Sequence, residues 1–188
     1  DLSGNSNNGN LINGASFTFD RFFAADKALQ LVKDQQEYVS IPNNASLQVD
    51  NQLSISFWAK RTSYGNGVID QVLNKGGDWP GGTCNYGLVF SDWTLCFIYN
   101  GGYSYVGTPG VPQDTSWHHY VVVTANGTEV VNFYIDNSLK TSMLGVSYNP
   151  TVNLYSASIH DLYIGGVNYY SNNALDDIRI YKRLLDEA

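Results

Sequence analysis

The sequence predicts an all-β fold, a two-sheet antiparallel β-sandwich of the jelly-roll kind, on three observations. Short apolar or alternating runs recur along the whole length, separated by Gly, Asn, Pro and Ser clusters. No segment sustains an apolar 3.6-residue period for three turns. Strand formers are abundant, with 14 Tyr, 8 Phe and 4 Trp beside a single Met, and only 14% of residues are charged. A length of 188 residues fits one domain and is ample for a two-layer core.

The elements follow in order. Residues 28–32 and 38–41 are short strands, with P-N-N-A at 42–45 as a turn. The run 53–60 alternates, with Leu53, Ile55, Phe57 and Ala59 on one face and Ser54, Ser56, Trp58 and Lys60 on the other. Strands are then expected over 68–74, 86–90, 94–99, 117–124, 130–136, 139–143, 161–164 and 174–181. In the last run a regular strand would send Asp176 and Asp177 to opposite faces. Two adjacent carboxylates at the mouth of an apolar strand are costly unless a cation satisfies them. Eleven or more short strands at this spacing imply a sandwich or jelly roll.

Charge and cysteine content narrow the function classes. Net charge is −7 with a pI near 4.6, and no Lys/Arg cluster exceeds the pairs at 60–61 and 182–183. Without such a cluster the counterion release that drives nucleic-acid binding is lost, so no nucleic-acid partner is expected. No apolar run reaches the length of a membrane span, and no membrane insertion is expected. Starting at Asp1 and ending just past a helix-like turn, residues 1–188 read as a single module cut from a larger secreted or cell-surface protein. The other domains of that parent would be its covalently linked partners. In an oxidising compartment the default for Cys84 and Cys96 is one disulfide. A simple hairpin turning at Asp92-Trp93 would instead set Cys96 opposite Val89, while 81–83 could fold Cys84 back, so both alternatives stand.

Three Gly- and Asn-rich loops, at 76–84, 100–107 and 165–173, carry the candidate ligand site. Trp79, Tyr103, Tyr105, Tyr169 and Tyr170 have no evident strand face to bury and could stack on the apolar face of a sugar. Asp78, Asn100, Asn168 and Asn172 stand beside them as partners for hydroxyls. The competing reading is that these rings seal loop bases or pack on one another. Trp58 falls off the main apolar phase and could floor a concave face. His119 shares a face with Val121 and Val123 and is expected to be buried, while His118 shares the other with Tyr120. No nucleophile or carboxylate motif accompanies the two histidines, and His160 is the one other His, so neither catalysis nor zinc is expected there. Glycoside hydrolysis needs paired acids, and Glu37, Glu129 and Glu187 form no such pattern.

At the N-terminus Asp1, Ser3, Asn5 and Asn7 alternate, a spacing that lets a tight loop aim several oxygens at one Ca²⁺. The alternative is an Asx turn that satisfies its own backbone, with Asp176 or Asp177 paired to Arg21 or Arg179.

Several short motifs follow one another along the chain: D-L-S-G-N-S-N-N-G at the start, F-D-R-F at 19–22, Y-V-S-I-P-N-N-A-S-L at 38–47 and L-S-I-S-F-W-A-K at 53–60. They continue with N-K-G at 74–76, N-Y-G-L at 85–88, S-W-H-H-Y at 116–120, Y-I-D-N at 134–137, Y-I-G-G at 163–166 and D-D-I-R-I-Y at 176–181. In this order they resemble the bacterial laminin-G-like, concanavalin A-like lectin/glucanase domains. Y-I-D-N stands where the family has Y-I-D-G and still suits a type I′ turn. Leu31-Val32-Lys33 replaces the family's F-D-G, so a ligand role of that Asp does not carry over. The resemblance implies a concanavalin A-like jelly roll with a structural calcium tying the first and last strands. That ion would recruit Asp176 or Asp177, with Asp20 a further candidate. It further implies a non-catalytic carbohydrate-binding module of a secreted multidomain protein, with a polysaccharide or oligosaccharide as ligand. The alternatives are a laminin-G-type adhesion or protein-interaction module, then a polysaccharide-cleaving enzyme on the same scaffold.

Overall fold

Alternation along 53–60 sorts side chains between core and outside. Leu53, Ile55, Phe57 and Ala59 are at most 1% exposed and join the main core, while Ser56, Trp58 and Lys60 face away from it and stay half-buried. The computed structural model describes all residues except 63, 65, 66, 78–83, 141, 142, 145–150, 155–157, 187 and 188, with backbone alone at 143 and 144. In chain order the strands are β1 (Asn10–Ile12), β2 (Ser16–Thr18), β3 (Ala28–Gln30), β4 (Tyr38–Ile41), β5 (Gln52–Arg61), β6 (Ile69–Lys75), β7 (Tyr86–Ser91) and β8 (Thr94–Tyr99). Then come β9 (Ser104–Pro109), β10 (Trp117–Ala125), β11 (Val131–Ile135), β12 (Ser138–Lys140), β13 (Met143–Leu144), β14 (Leu162–Ile164) and β15 (Asn173–Tyr181).

Two antiparallel sheets form the expected sandwich. One has eight strands in the order β1-β4-β14-β6-β7-β8-β9-β13, the other seven in the order β12-β11-β10-β5-β15-β3-β2. Between them lie Leu53, Ile55, Phe57, Leu88, Phe90, Leu95, Phe97, Tyr120, Val122 and Phe133. Phe57 stacks on Tyr120 at 5.2 Å and tilts against Phe90 at 6.3 Å, linking the layers. Each such side chain contributes about 1.5–3 kcal/mol of burial free energy.

Strand β9 lies inside a segment whose glycines read as loop. Gly101 and Gly102 serve the turn, where they and Asn100 all have positive φ, while Gly107 sits within β9 where a Cβ would collide with Thr94 of β8, and Ser104–Pro109 pairs with β8 along its length. The run expected over 139–143 divides, since β12 and β13 belong to different sheets. The β11–β12 turn has φ of 49° at Asp136 and 61° at Asn137, as a type I′ turn requires.

On the outer side of the eight-stranded sheet Cys84, Val89, Cys96 and Ile98 make a small second cluster. Cys96 pairs with Val89, as the simple hairpin predicts, and both cysteines are free and buried. Burial pushes each thiol up to about 12, and Cys84 donates to Asn74 Oδ1 at 3.0 Å.

Candidate functional site

The site is built on the outer face of the seven-stranded sheet, where register sets side chains in rows. One row runs Asp176–Trp58–His119, and the next Arg179–Ser56–Val121–Tyr134–Leu139. Beyond them the chain after β15 folds back over β5: Ser54 Oγ donates to the Arg183 carbonyl at 2.8 Å and accepts from Leu185 N at 3.0 Å. This tail and the β11–β12 hairpin flank a groove of about 490 Å³, within the size range of small-molecule sites. Val121, Leu139 and Leu185 give it apolar walls, while Ser56, His119, Tyr134, Asn137 and Asp186 supply polar groups.

His119 is therefore half-buried in a groove on the outer face, whereas Tyr120, its neighbour in sequence, enters the core. The expectation of a buried His119 took the phase of β10 from Val121 and Val123; the core phase is that of Tyr120 and Val122. Its Nε2 lies 2.9 Å from Ser56 Oγ, and its ring stacks on Trp58 at 5.0 Å. Burial, aided by the Arg21 and Arg179 charges and opposed by Asp136 and Asp177, lowers its proton affinity and keeps the imidazole neutral at neutral pH. His118 differs. Burial would lower it too, but hydrogen bonds to Asp136 (2.7 Å) and Asp114 (3.0 Å) outweigh that and raise it.

Trp58 is the inner member of a longer stack. The Arg21 guanidinium sits 4.9 Å from the Trp58 ring and 4.6 Å from that of Phe22. Arg21 is held by both carboxylates of β15, directly hydrogen-bonded to Asp176 and 2.7 Å from Asp177, which also pairs with Arg179 at 3.3 Å. Asp176 and Asp177 were expected on opposite faces. A bulge between Asp176 and Arg179, with φ of 47° at Asp177, turns both toward one cation. Hydrogen bonding to Arg21 holds the Asp177 carboxyl below its ordinary value. Asp176, at 10% exposure, is raised by burial and by Asp177 despite Arg21.

The calcium set expected to tie the first and last strands is split. Asp20 Oδ1 accepts from Phe22 N and Ala24 N, each at 2.8 Å, so Asp20 shapes its own loop. Asp176 and Asp177 already hold Arg21. At the N-terminus Asp1 accepts from Ser3 N (3.0 Å), Ser3 Oγ (2.7 Å) and Asn7 N (2.9 Å), while Asn5 donates to Ser3 Oγ. This is the Asx-turn alternative, and it packs through Asn7 against Ser46. Among the described residues no three His, Cys, Asp or Glu side chains gather as metal ligands. The residues therefore do not fit one ion shared by Asp1, Ser3, Asn5, Asn7, Asp20, Asp176 and Asp177.

The predicted ring set is also divided. Trp79 and Asp78 lie outside the described residues. Tyr103 is 60% exposed on the turn after Asn100, whose Nδ2 donates to Ser104 Oγ at 3.0 Å. Tyr105 is not a loop residue: it pairs with Ile98 within β9 and packs on the second cluster. Tyr169 and Tyr170 are half-buried, and Tyr170 lies 6.4 Å from Tyr38. Asn172 Oδ1 accepts from Lys33 N at 3.0 Å, and Asn168 is exposed. The Tyr103 turn stands at the Lys75 end of β6, whereas the Tyr169 carbonyl accepts from Gln71 near the other end. Four strand residues, about 13 Å along the sheet, and two strand spacings, about 10 Å across it, separate them, so these loops do not share one pocket. The groove depended on pairing across β5, β10 and β11; the off-phase Trp58 was its single sign in sequence.

Known proteins place this architecture. A model of the concanavalin A-like lectin/glucanases superfamily, of laminin-G type, matches residues 33–188. The chain belongs to that family. No curated protein matches it. Among solved structures the domain is similar to the receptor binding domain of botulinum neurotoxin mosaic serotype C/D, with a TM-score of 0.72 at 15% identity over 100% of this chain and 45% of that one. The binding domain of Paraclostridial Mosquitocidal Protein 1 gives 0.71 at 19% identity, over 100% and 47%. A botulinum neurotoxin DC binding domain in complex with rat synaptotagmin II gives 0.71 at 14% identity, over 100% and 46%. This laminin-G-type domain thus spans less than half the length of the solved chains it matches.

Proposed function

We propose that this laminin-G-like domain is a non-catalytic carbohydrate-binding module of a secreted or cell-surface protein, and that it holds a polysaccharide in the groove of its seven-stranded sheet. The observation that carries the reading is the groove's mixed lining, with Tyr134, Val121 and Leu139 offering apolar surface beside Ser56, His119, Asn137 and Asp186. Pyranose rings present flat C–H faces and a rim of hydroxyls, which such a lining matches. The net charge of −7 favours a neutral, hydroxyl-rich glycan over a densely sulfated one. Solved neighbours described as receptor-binding and binding domains agree with a recognition role.

Calcium enters this proposal at the N-terminal turn alone. With Asp1 as the single carboxylate among Ser3, Asn5 and Asn7, an ion there would be held only in the range of about 10⁻⁴–10⁻³ M.

Affinity electrophoresis through gels of soluble arabinoxylan, galactomannan, mixed-linkage β-glucan and pectic galactan tests the site. The domain should be retarded by at least one, and Tyr134→Ala should abolish the shift while Tyr103→Ala leaves it. The reverse pattern would return the site to the turns, and capture of a protein ligand with no retardation in any gel would make this an adhesion module.

A further inference from the structure

We infer that the binding face continues from the groove, across the Trp58 stack, to the Phe22–Phe23 tip, and so takes a polysaccharide chain along its length rather than one terminal sugar. This rests on the carbohydrate reading above. Phe22 and Phe23 are 73% and 86% exposed. Phe23 has φ of +63°, where glycine sits freely and a bulky side chain is strained. An aromatic ring at that position, bare to solvent, is poorly explained by folding and well explained by a contact with something outside the chain.

The tip is a rigid mount. Asp20 Oδ1 takes the N–H groups of Phe22 and Ala24, Phe23 N donates to the Asp20 carbonyl at 3.1 Å, and Asp20 N donates to the Ala24 carbonyl at 3.0 Å. Arg21, between them, is clamped by Asp176 and Asp177. Little ordering remains to oppose binding. The tip is also continuous with the groove: Phe22, Arg21, Trp58 and His119 stack in succession at 4.6, 4.9 and 5.0 Å, and His119 lines the groove.

Charge selects the occupant. Asp20, Asp26 and Lys27 share the loop with the two rings, and Asp177 and Arg179 lie below it. A bilayer would have to desolvate those groups at high cost. A sugar chain stacks on the rings and offers hydroxyls to the charges.

The test uses the polysaccharide that retards the domain, together with short and long oligosaccharides cut from it, each titrated calorimetrically. Phe23→Gly suits the local φ, so it should melt no lower than wild type, yet bind the long chains roughly three- to tenfold more weakly. Its affinity for the short fragments should be unchanged, whereas Tyr134→Ala should weaken both. Unchanged long-chain affinity in Phe23→Gly, or equal weakening for short and long, overturns the extension and leaves the groove reading standing. If Phe23→Gly instead abolishes co-sedimentation with phosphatidylcholine vesicles, the tip belongs to a lipid surface and the inference is wrong. Failure of wild type to bind any of the four polysaccharides overturns both readings.

Discussion

Replacing Arg21 with Ala tests whether the Asp176–Arg21–Asp177 clamp holds the outer face in place. Removing one partner of a fully buried ion pair costs about 3–5 kcal/mol, because the remaining charge is stranded. An exposed pair is worth about 0–1 kcal/mol. Asp176 and Arg21, at 10% and 18% exposure, lie toward the buried limit; Asp177, at 39%, adds little after solvent screening. Loss of the cation held over Trp58 adds about 0.5–1 kcal/mol. With the ion-pair loss taken at about 2 kcal/mol, between those limits because Asp176 can relax partly toward solvent, the total is about 2–3 kcal/mol. For a chain of 188 residues that lowers Tm by roughly 5–10 °C.

The pH dependence carries its own sign. In the wild type the folded Asp176 carboxyl already lies above its ordinary value, and without Arg21 it rises further. The folded variant then holds this proton more tightly than the unfolded chain, where Asp titrates near 3.9. Its stability therefore falls as pH rises from that value through the folded one, and is flat beyond. Asp177 behaves oppositely in the wild type: its lowered carboxyl contributes stability above the ordinary value, lost as pH falls through the folded one. The gap between wild type and variant should accordingly be widest at neutral pH and close in acid. Urea unfolding followed by circular dichroism at several pH values measures it, and Arg21→Ala combined with Asp176→Asn should recover most of the loss. A cost under about 0.5 kcal/mol at neutral pH, or one independent of pH, would refute the reasoning.

Two further outcomes follow from the same geometry. Cys84 and Cys96, buried with thiols pushed up to about 12, should resist thiol reagents in the native state, and reductant should leave Tm unchanged; mass spectrometry detecting a Cys84–Cys96 bridge would contradict this. Chelation should lower Tm only if calcium sits at the N-terminal turn. The effect should then vanish in Asp1→Ala and persist in Asp177→Ala, whereas a wild type whose Tm chelation leaves unchanged removes calcium from the proposal.

Much of the fold was legible because strand periodicity is local. The two-residue alternation of 53–60 requires no knowledge of distant residues, and Leu53, Ile55, Phe57 and Ala59 lie in the core as that alternation implies. The same holds for the Asp136-Asn137 turn and for Cys96 opposite Val89, each decided within a few residues of chain. The family motifs extended this to the two-sheet architecture. The site was a different matter. Its groove draws residues from β5, β10, β11, β12 and the tail after β15, and the stack beside it is anchored by Arg21 meeting a carboxylate 155 positions away. The bulge that turns Asp176 and Asp177 to one cation departs from the very regularity that sequence patterns assume.

By itself the sequence determined an acidic, Tyr-rich, all-β sandwich, because composition, turn chemistry and a period of two act over a handful of residues. Only the tertiary structure decided which outward side chains stand together. Cross-strand register and loop packing bring His119 to Ser56 and Arg21 to Trp58, and set Tyr103 and Tyr169 near opposite ends of β6. Those juxtapositions depend on how distant segments pair, which no local run of residues encodes on its own.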